Sequence, residues 1–312
     1  MTIKPTTTAQ FYPAEEGEIG QRIDNFLMTR LKGVPKSRIY RLVRKGEVRV
    51  NKKRIKPEYR IQAGDIIRIP PVRMEEKGAP AKPSSSLQQE LAQRILFEDK
   101  HLLIIDKPAG VAVHGGSGIS VGVIEALRFM RPHDKSLELV HRLDRETSGC
   151  LVLAKKPSTL KTLHALLRES AVEKTYLALV QGHWPKDLYM VDAPLEKFEL
   201  RGGERMVKVT ADGKAASTEF RVIQRFDNST LVEAKPLTGR THQIRVHALH
   251  VGHPIVGDDK YGDKDFNKTM RKLGCKRMFL HAYSIKFNLD EQEIFVKAEV
   301  NNDWQDCLRR LG

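Results

Sequence analysis

His141-Arg142-Leu143-Asp144-Arg145-Glu146-Thr147-Ser148-Gly149 crowds charged side chains and a pair of hydroxyls into one short stretch, then runs directly into the apolar segment Cys150-Leu151-Val152-Leu153-Ala154. The apolar segment reads as a buried strand and the polar one as the irregular loop that enters it. Asp144 stands between Arg142 and Arg145, and nearby positive charge favours the ionised form of a carboxylate. That suits an acid that acts deprotonated at neutral pH. A salt-bridged loop ahead of a buried strand would carry the same pattern, and this stretch alone leaves both readings open.

Outward from that point, the chain of 312 residues exceeds one average domain and suggests two. A hydrophobic content of 40% with 30% charged residues describes a globular protein able to bury a core. The net charge of +15 and pI near 9.7 call for a polyanionic partner, either nucleic acid or an anionic membrane surface. No apolar run approaches the roughly 18 residues of a transmembrane helix, and MTIKPTTTAQFYPAEE lacks the apolar centre of a signal peptide. Cys150, Cys275 and Cys307 form no Cys-x-x-Cys pair. Two of the three lie beside apolar stretches and read as reduced core thiols, so a cytoplasmic protein is expected.

Residues 1–17 are polar and Thr-rich and read as a mobile lead-in. Ile23, Phe26, Leu27 and Leu31 then fall at helical spacing, Gly33 stops that helix, and Pro35-Lys36-Ser37 opens a second one with Ile39, Leu42 and Val43 on its apolar face. Gly46 ends it. Val48 and Val50 alternate as a strand, Asn51-Lys52 marks a turn, and Gly64-Asp65 precedes Ile66–Ile69. From Pro35 to Lys56 the chain carries Lys36, Arg38, Arg41, Arg44, Lys45, Arg49, Lys52, Lys53, Arg54 and Lys56 against one acid, Glu47. A charge run is most often a solvated face. Here the basic residues sit opposite an apolar side shared by two helices, which favours a docking surface. Residues 73–89 lie in a stretch that mixes Pro, Gly, Ser and charge without apolar periodicity, and read as a linker.

Beyond it, strands are predicted at Arg94–Phe97, His101–Asp106, Cys150–Ala154 and Thr175–Val180. Helices are predicted from about Ser120 and after a Ser158 cap. Lys208–Thr210 and Ala216–Val222 flank Asp212-Gly213, a hairpin signal. Asp227-Asn228 turns into Thr230–Lys235, Thr241 is placed to cap a helix that Gly252 closes, and a last hairpin and short helix finish the chain. Hairpins with helices inserted between them imply an α+β domain with a mixed, mostly antiparallel sheet. No P-loop is present, and Gly115, Gly116 and Gly118 follow no nucleotide fingerprint. His247 and His250 stand i,i+3, a spacing able to chelate, but no carboxylate or cysteine joins them at a familiar ligand spacing. No metal and no cofactor are expected.

HRLDRETSG resembles the signature of the RluA-type family of pseudouridine synthases. Three further stretches resemble the same family in its order: KPAGVAVH from Lys107, KTYLALV from Lys174, and TGRTHQIRVH from Thr238. The likeness runs from about residue 15 to the C-terminus. GVPKSRIYRLVRKGEVRVNKKRIKPEYR and HGGSGIS resemble the branch acting on large-subunit (23S) ribosomal RNA. Residues 18–72 resemble the S4 RNA-binding domain, with two helices followed by Gly-x-Val-x-Val-Asn and Gly-Asp.

The resemblance implies a catalytic domain of pseudouridine synthase type over 90–312. Its reaction breaks the N1–C1′ bond of a uridine, turns the uracil and rejoins it through C5, and this redox-neutral step needs no cofactor. Asp144 corresponds to the catalytic carboxylate, as nucleophile at C1′ or base at C2′; the sequence leaves those two open. Tyr176 corresponds to the active-site tyrosine, Arg245 to the arginine paired with the carboxylate, and Leu280 to an apolar wall. Arg142 and Arg240 are candidates for RNA contacts, Arg142 to fill the space left by a flipped nucleotide. Glu146 reads as a structural ion pair, and Lys107-Pro108 as scaffold. The basic face of the S4-like unit, with Lys36, Arg38, Arg41, Arg44, Lys45, Lys52, Lys53 and Arg54, is implied to grip RNA phosphates.

The expected partner is thus large-subunit ribosomal RNA, bound by a monomer, with no membrane and no nucleotide cofactor. Rival readings are a pseudouridine synthase of transfer RNA, a non-catalytic RNA-binding or assembly factor on the same fold, and a membrane-surface protein. The last would want aromatic anchors beside the basic face, where Pro35–Lys56 offers only Tyr40.

Overall fold

A computed structural model of the chain describes residues 8–31, 33–72, 82–116, 119–200 and 203–312. Two compact units divide at Ala81 and Lys82. In the first, strand β1 (Gln10–Pro13) is followed by helices α1 (Ile23–Arg30) and α2 (Lys36–Arg44) and strands β2 (Arg49–Val50), β3 (Lys53–Arg54) and β4 (Ile66–Ile69). The strands form one antiparallel sheet in the order β1-β4-β2-β3. The i, i+3, i+4 spacing of Ile23, Phe26 and Leu27 on α1, and of Ile39, Leu42 and Val43 on α2, gives each helix one apolar stripe. Both stripes are buried with Val48, Ile61 and Ile67.

Asn51 and Lys52 join β2 to β3 with φ of 50° and 67°. Positive φ at both central residues is what a two-residue turn needs to match strand twist. Asp65, buried, accepts from the Tyr59 hydroxyl, the Gln62 amide and the Asn51 side-chain amide, each at 2.8 Å, and so ties the turn to β4. One expectation is corrected here. Residues 10–13 are not a mobile lead-in but an edge strand, Gln10 opposite Ile69 and Pro13 opposite Ile66. A proline at the end of an edge strand removes no interior ladder bond, and the polar composition hid the strand.

The second unit runs α3 (Ser85–Gln93), β5 (Ile95–Glu98), β6 (Leu102–Lys107), α4 (Val123–Met130), β7 (Glu138–Leu139), β8 (Ser148–Ala154), α5 (Pro157–Arg168) and β9 (Glu173–Gln181). It continues with β10 (Met190–Asp192), β11 (Leu195–Glu199), β12 (Arg205–Val209), β13 (Ser217–Arg225), β14 (Ser229–Pro236), α6 (Gln243–His250), α7 (Lys264–Lys272), β15 (Leu280–Leu289), β16 (Gln292–Lys297) and α8 (Asn302–Leu311). Its main sheet has the order β10-β13-β14-β9-β15-β8-β6-β5, with β16 added on β15 and β7 on β8, while β11 and β12 pair separately. This is the mixed, mostly antiparallel α+β fold the pattern predicted.

The exception to antiparallel pairing is the junction that joins the two halves of the sheet, where His281 lies beside Ser148 and Ala282 beside Gly149 in parallel register. Gly149 has φ +108°, and a Cβ there would stand 2.2 Å from the Ala282 carbonyl oxygen. Only glycine lets β15 approach so closely. Polar groups at the junction are satisfied in series: Arg277 donates to Ser148 Oγ (2.6 Å), which donates to His281 Nδ1 (2.7 Å). His281 Nε2 in turn donates to the Ala298 carbonyl (2.7 Å). Strand β8 is buried along its whole length, which explains its uninterrupted apolar run.

Several local expectations fail for reasons that can be named. Of the linker predicted at 73–89, residues 73–81 lie outside the described residues. The remainder enters α3, capped by Ser84 Oγ on the Leu87 amide and held to the core through Leu87 and Leu91. Helix α5 starts with Pro157 in its first turn rather than with a Ser158 cap. Asp212-Gly213 turns the chain but makes no hairpin: β12 pairs β11, and β13 pairs β14 and β10. A Cβ on Gly213 would meet the Leu195 backbone at 2.7 Å, so the glycine serves a crossing of two chain segments. Two of the three cysteines are expected as reduced thiols, but only Cys150 is free: Cys275 and Cys307 are joined as a disulfide between the segment after α7 and helix α8. Cys150 is free and buried, and burial pushes its thiol up to about 12.

Candidate active site

The loop ahead of β8 is held by main-chain and buried side-chain anchors. His141 Nε2 accepts from the Val152 amide at 3.1 Å, and burial first, then the charge of Lys174, lowers its pKa to about 4. Leu143 and Thr147 are buried. Lys107 is fully buried with no carboxylate among the described residues bonded to it, and its ammonium donates to the carbonyls of Pro108 (2.7 Å), Val111 (2.8 Å) and Arg145 (3.0 Å). Burial lowers its pKa to about 7, against the opposing charge of Glu146. Arg145 adds a bond from Nε to the Gly110 carbonyl, 2.8 Å, and the Gly110 amide returns one to the Arg145 carbonyl, 2.9 Å. The peptide following Asp144 is thus clamped on two sides, and Asp144 faces a cavity of about 550 Å³.

Across that cavity stands α6. Thr241 does not cap it. The N-cap residue is His242, in the left-handed region at φ 54°. This conformation is uncommon outside glycine, and histidine tolerates it better than branched residues do. Arg245, buried in the first turn, donates from Nη1 to Asp144 Oδ2 at 2.8 Å. Its Nε and Nη2 donate to the two oxygens of Asp258 at 2.7 and 2.8 Å. Asp258 also accepts from the amides of Lys260 and Tyr261. Burial works against its ionisation, but the Arg245 bonds and charge together with the two amides outweigh burial and hold the carboxyl below its usual range. Burial likewise opposes the charge on Arg245, and the two carboxylates more than offset it.

The Tyr261 ring packs on the guanidinium, 4.9 Å from its centre, and its hydroxyl accepts from the Val207 amide while bonding His242 Nδ1 at 2.7 Å. His242 Nε2 reaches to 3.7 Å from Asp144 Oδ1. Burial lowers the His242 pKa against the pull of Asp144.

The fold brings Asp144, Tyr176, Arg245, Leu280, Arg142 and Arg240 to one cavity. Tyr176, on β9, makes no hydrogen bond through its hydroxyl to the described residues. Burial, and then the charge of Asp144, raises its pKa. Leu280 lines the wall beside it, registered opposite Ala178. Arg142 and Arg240 are exposed at the rim, Arg240 steered by a bond from Nε to the Ala215 carbonyl, 3.0 Å. Glu146 faces Arg145 at 3.6 Å and does not line the cavity, so among the described residues Asp144 is its one carboxylate.

Lys36, Arg38, Arg41, Arg44, Lys45, Lys52, Lys53 and Arg54 belong to the other unit, all exposed and none in an ion pair among the described residues. Of the histidine pair weighed for chelation, His247 is saturated. Its Nε2 donates to the Ala193 carbonyl and its Nδ1 accepts from Thr218. Among the described residues no group of three or more His, Cys, Asp or Glu is placed to hold a metal ion.

Sequence reasoning missed Asp258, Tyr261 and His242. A signal for the first two was present in Gly257-Asp258-Asp259-Lys260-Tyr261-Gly262, two acids bracketed by glycines. A Cβ on Gly257 would sit 1.9 Å from the Arg277 carbonyl, and one on Gly262 would sit 2.3 Å from the Asp258 carbonyl. Both glycines mark a tight turn that presents Asp258 inward.

Residues 101–250 match the family model for RNA pseudouridylate synthase, and residues 21–67 match that of the S4 domain. The chain belongs to the pseudouridine synthase family, with an S4 domain at its N-terminal side. The protein named ribosomal large subunit pseudouridine synthase C in Haemophilus influenzae is 59% identical over 299 residues, 95% of this chain and 93% of its own length. Its namesake in Escherichia coli (strain K12) is 53% identical over 299 residues, 94% of each chain. Among solved structures, human RNA pseudouridylate synthase domain containing 4 superposes with a TM-score of 0.60 at 29% identity, over 72% of this chain and 95% of its own.

Proposed function

We propose that the chain is an isomerase that converts specific uridines of large-subunit (23S) ribosomal RNA to pseudouridine. The observation that carries the reading is the single carboxylate of the cavity among the described residues, Asp144, bonded to an arginine that is itself locked on a second, buried carboxylate. Hydrolysis of a glycosidic bond ordinarily uses two carboxyl groups flanking the bond. An isomerisation that keeps both fragments in the cavity needs one group at the sugar. Asp144 fills that role as nucleophile at C1′ or as base at C2′. The N1–C1′ bond breaks, C1′ joins C5, and the proton lost from C5 is balanced by the one N1 gains.

Arg245 holds the Asp144 carboxylate in orientation. Tyr176 supplies a stacking face and, with its proton held firmly, enters as a hydrogen-bond donor. Leu280 closes the apolar side. A base inside a helix or stem is out of reach of such a cavity, so the uridine must be extruded, and Arg142 at the rim fills the vacated space while Arg240 contacts the backbone. The S4 unit grips RNA through phosphates. The protein acts as a monomer in the cytoplasm, a reading that rests on its ribosomal RNA substrate, since the Cys275–Cys307 disulfide removes the reduced-thiol argument for that compartment. Among the described residues no helix is long and apolar enough to cross a membrane.

The test is a map of pseudouridines in ribosomal and transfer RNA from cells with and without this protein. Specific positions of large-subunit RNA should revert to uridine. Loss confined to transfer RNA would overturn the substrate, and an unchanged map would favour a non-catalytic binding protein.

A further inference from the structure

Two lysines of the second unit are withdrawn from water, and they differ in one respect. The Lys107 ammonium is surrounded by three carbonyl acceptors. The Lys174 ammonium has neither a hydrogen bond nor an ion pair to any described residue. The residue lies on β9 two residues before Tyr176, about 7 Å along the same face of the strand, and lines the same cavity. Burial alone lowers its pKa, with no neighbouring carboxylate opposing. The other Lys and Arg side chains on the lining are Arg142, Arg168, Arg240 and Arg245, and the one carboxylate there among the described residues, Asp144, is already matched by Arg245.

A half-buried ammonium without a partner is costly. A neutral acceptor such as a uracil carbonyl would satisfy its donors without matching its charge. An extruded uridine in an RNA chain brings anions to the cavity on both of its sides, because its sugar is linked through 5′ and 3′ phosphates.

We propose that Lys174 binds a phosphate flanking the extruded uridine, so that the site selects a uridine within an RNA chain over the free nucleoside. This rests on the isomerase reading above. It adds a binding residue whose anion belongs to the reacting nucleotide itself, apart from the outlying contacts of the S4 unit.

Once a target position has been mapped with the unaltered protein, short ribosomal RNA fragments carrying it are made with a neutral methylphosphonate at the 5′ or the 3′ linkage of that uridine. Binding is measured across a salt series for the full-length protein, Lys174→Met, Lys174→Gln and Lys174→Arg, each checked by thermal unfolding. Lys174→Met and Lys174→Gln should weaken binding about tenfold, and the slope of log K against log salt should flatten by roughly 0.7 to 0.9. Lys174→Arg should keep the slope. One of the two methylphosphonates should weaken the unaltered protein by a similar factor and add nothing in Lys174→Met. The inference is overturned by unchanged slopes in both neutral variants, or by methylphosphonate losses that add in full to theirs. An unaltered protein that isomerises no ribosomal uridine would sink this inference and the function together. Activity with unchanged slopes would sink only the role of Lys174.

Discussion

Helices α2 and α6 are both short and both carry arginine, yet they use it in opposite ways. On α2 the inward stripe is purely apolar, and Arg38, Arg41 and Arg44 stand in solvent without an acidic partner among the described residues. On α6 the arginine itself turns inward: Arg245 is 7% exposed and makes three bonds to two carboxylates. Exposed cations contribute by screened, roughly additive attraction to a polyanion, each independent of its neighbours. A buried cation between carboxylates works only as part of the set, because removing one member strands the others in a poor solvent. The first kind of site sets grip and the second sets geometry.

The largest effect should come from Asp144→Asn. The amide keeps the shape but cannot act as nucleophile or base, so the rate of isomerisation should fall by about a thousandfold or more, with RNA affinity within a few fold. Retention of a tenth of the rate in single-turnover assays would remove Asp144 from the chemistry.

Next is the set as a set. Arg245→Met leaves Asp258 buried with only backbone donors, at a cost of about 3–5 kcal/mol in unfolding free energy besides the lost orientation of Asp144. Adding Asp258→Asn should restore part of that stability while leaving activity low. Strictly additive losses in the double variant, measured by denaturant unfolding, would show that the three groups do not act as one.

Lys107 sharpens the comparison through pH. Its folded pKa of about 7 lies below the ordinary lysine value of 10.5. Between those values the unfolded chain therefore binds a proton that the native state does not. Stability from this group is lost below about pH 7 and gained as pH rises toward 10.5. The stability of the unaltered protein relative to Lys107→Met should grow across that window, by a few kcal/mol at most. A constant difference from pH 6.5 to 9.5 would mean that the amine stays charged throughout.

The smallest effects belong to the exposed face. A fragment of residues 82–312 keeps α3, which packs its own core through Leu87 and Leu91, and should retain isomerisation. Losing about four phosphate contacts should flatten its salt slope by around three and weaken binding to long ribosomal RNA by an order of magnitude or more. Single changes such as Arg41→Ala should each flatten the slope by about 0.7 to 0.9. Equal slopes for fragment and full chain would reduce the basic residues to a solvated face.

What the sequence by itself determined is whatever depends on neighbours a few residues away. The apolar stripes of α1 and α2, the turn at Asn51-Lys52, the buried run of β8 and the α+β class follow from spacing and backbone preference within short windows. Asp144, Tyr176 and Arg245 were named from motifs, but only as separate positions. The tertiary structure alone decided that Asp144 and Arg245, 101 residues apart, share a bond, and that Asp258 supplies the other half of the arginine's partners. It also decided that Gly149 admits the Ala282 carbonyl, that Asp212-Gly213 redirects the chain instead of forming a hairpin, and that Cys275 meets Cys307. The same holds for the two lysines, one saturated and one unpartnered. Propensity and periodicity act along the chain, whereas charge compensation, desolvation and close approach depend on distances through space, which only packing sets.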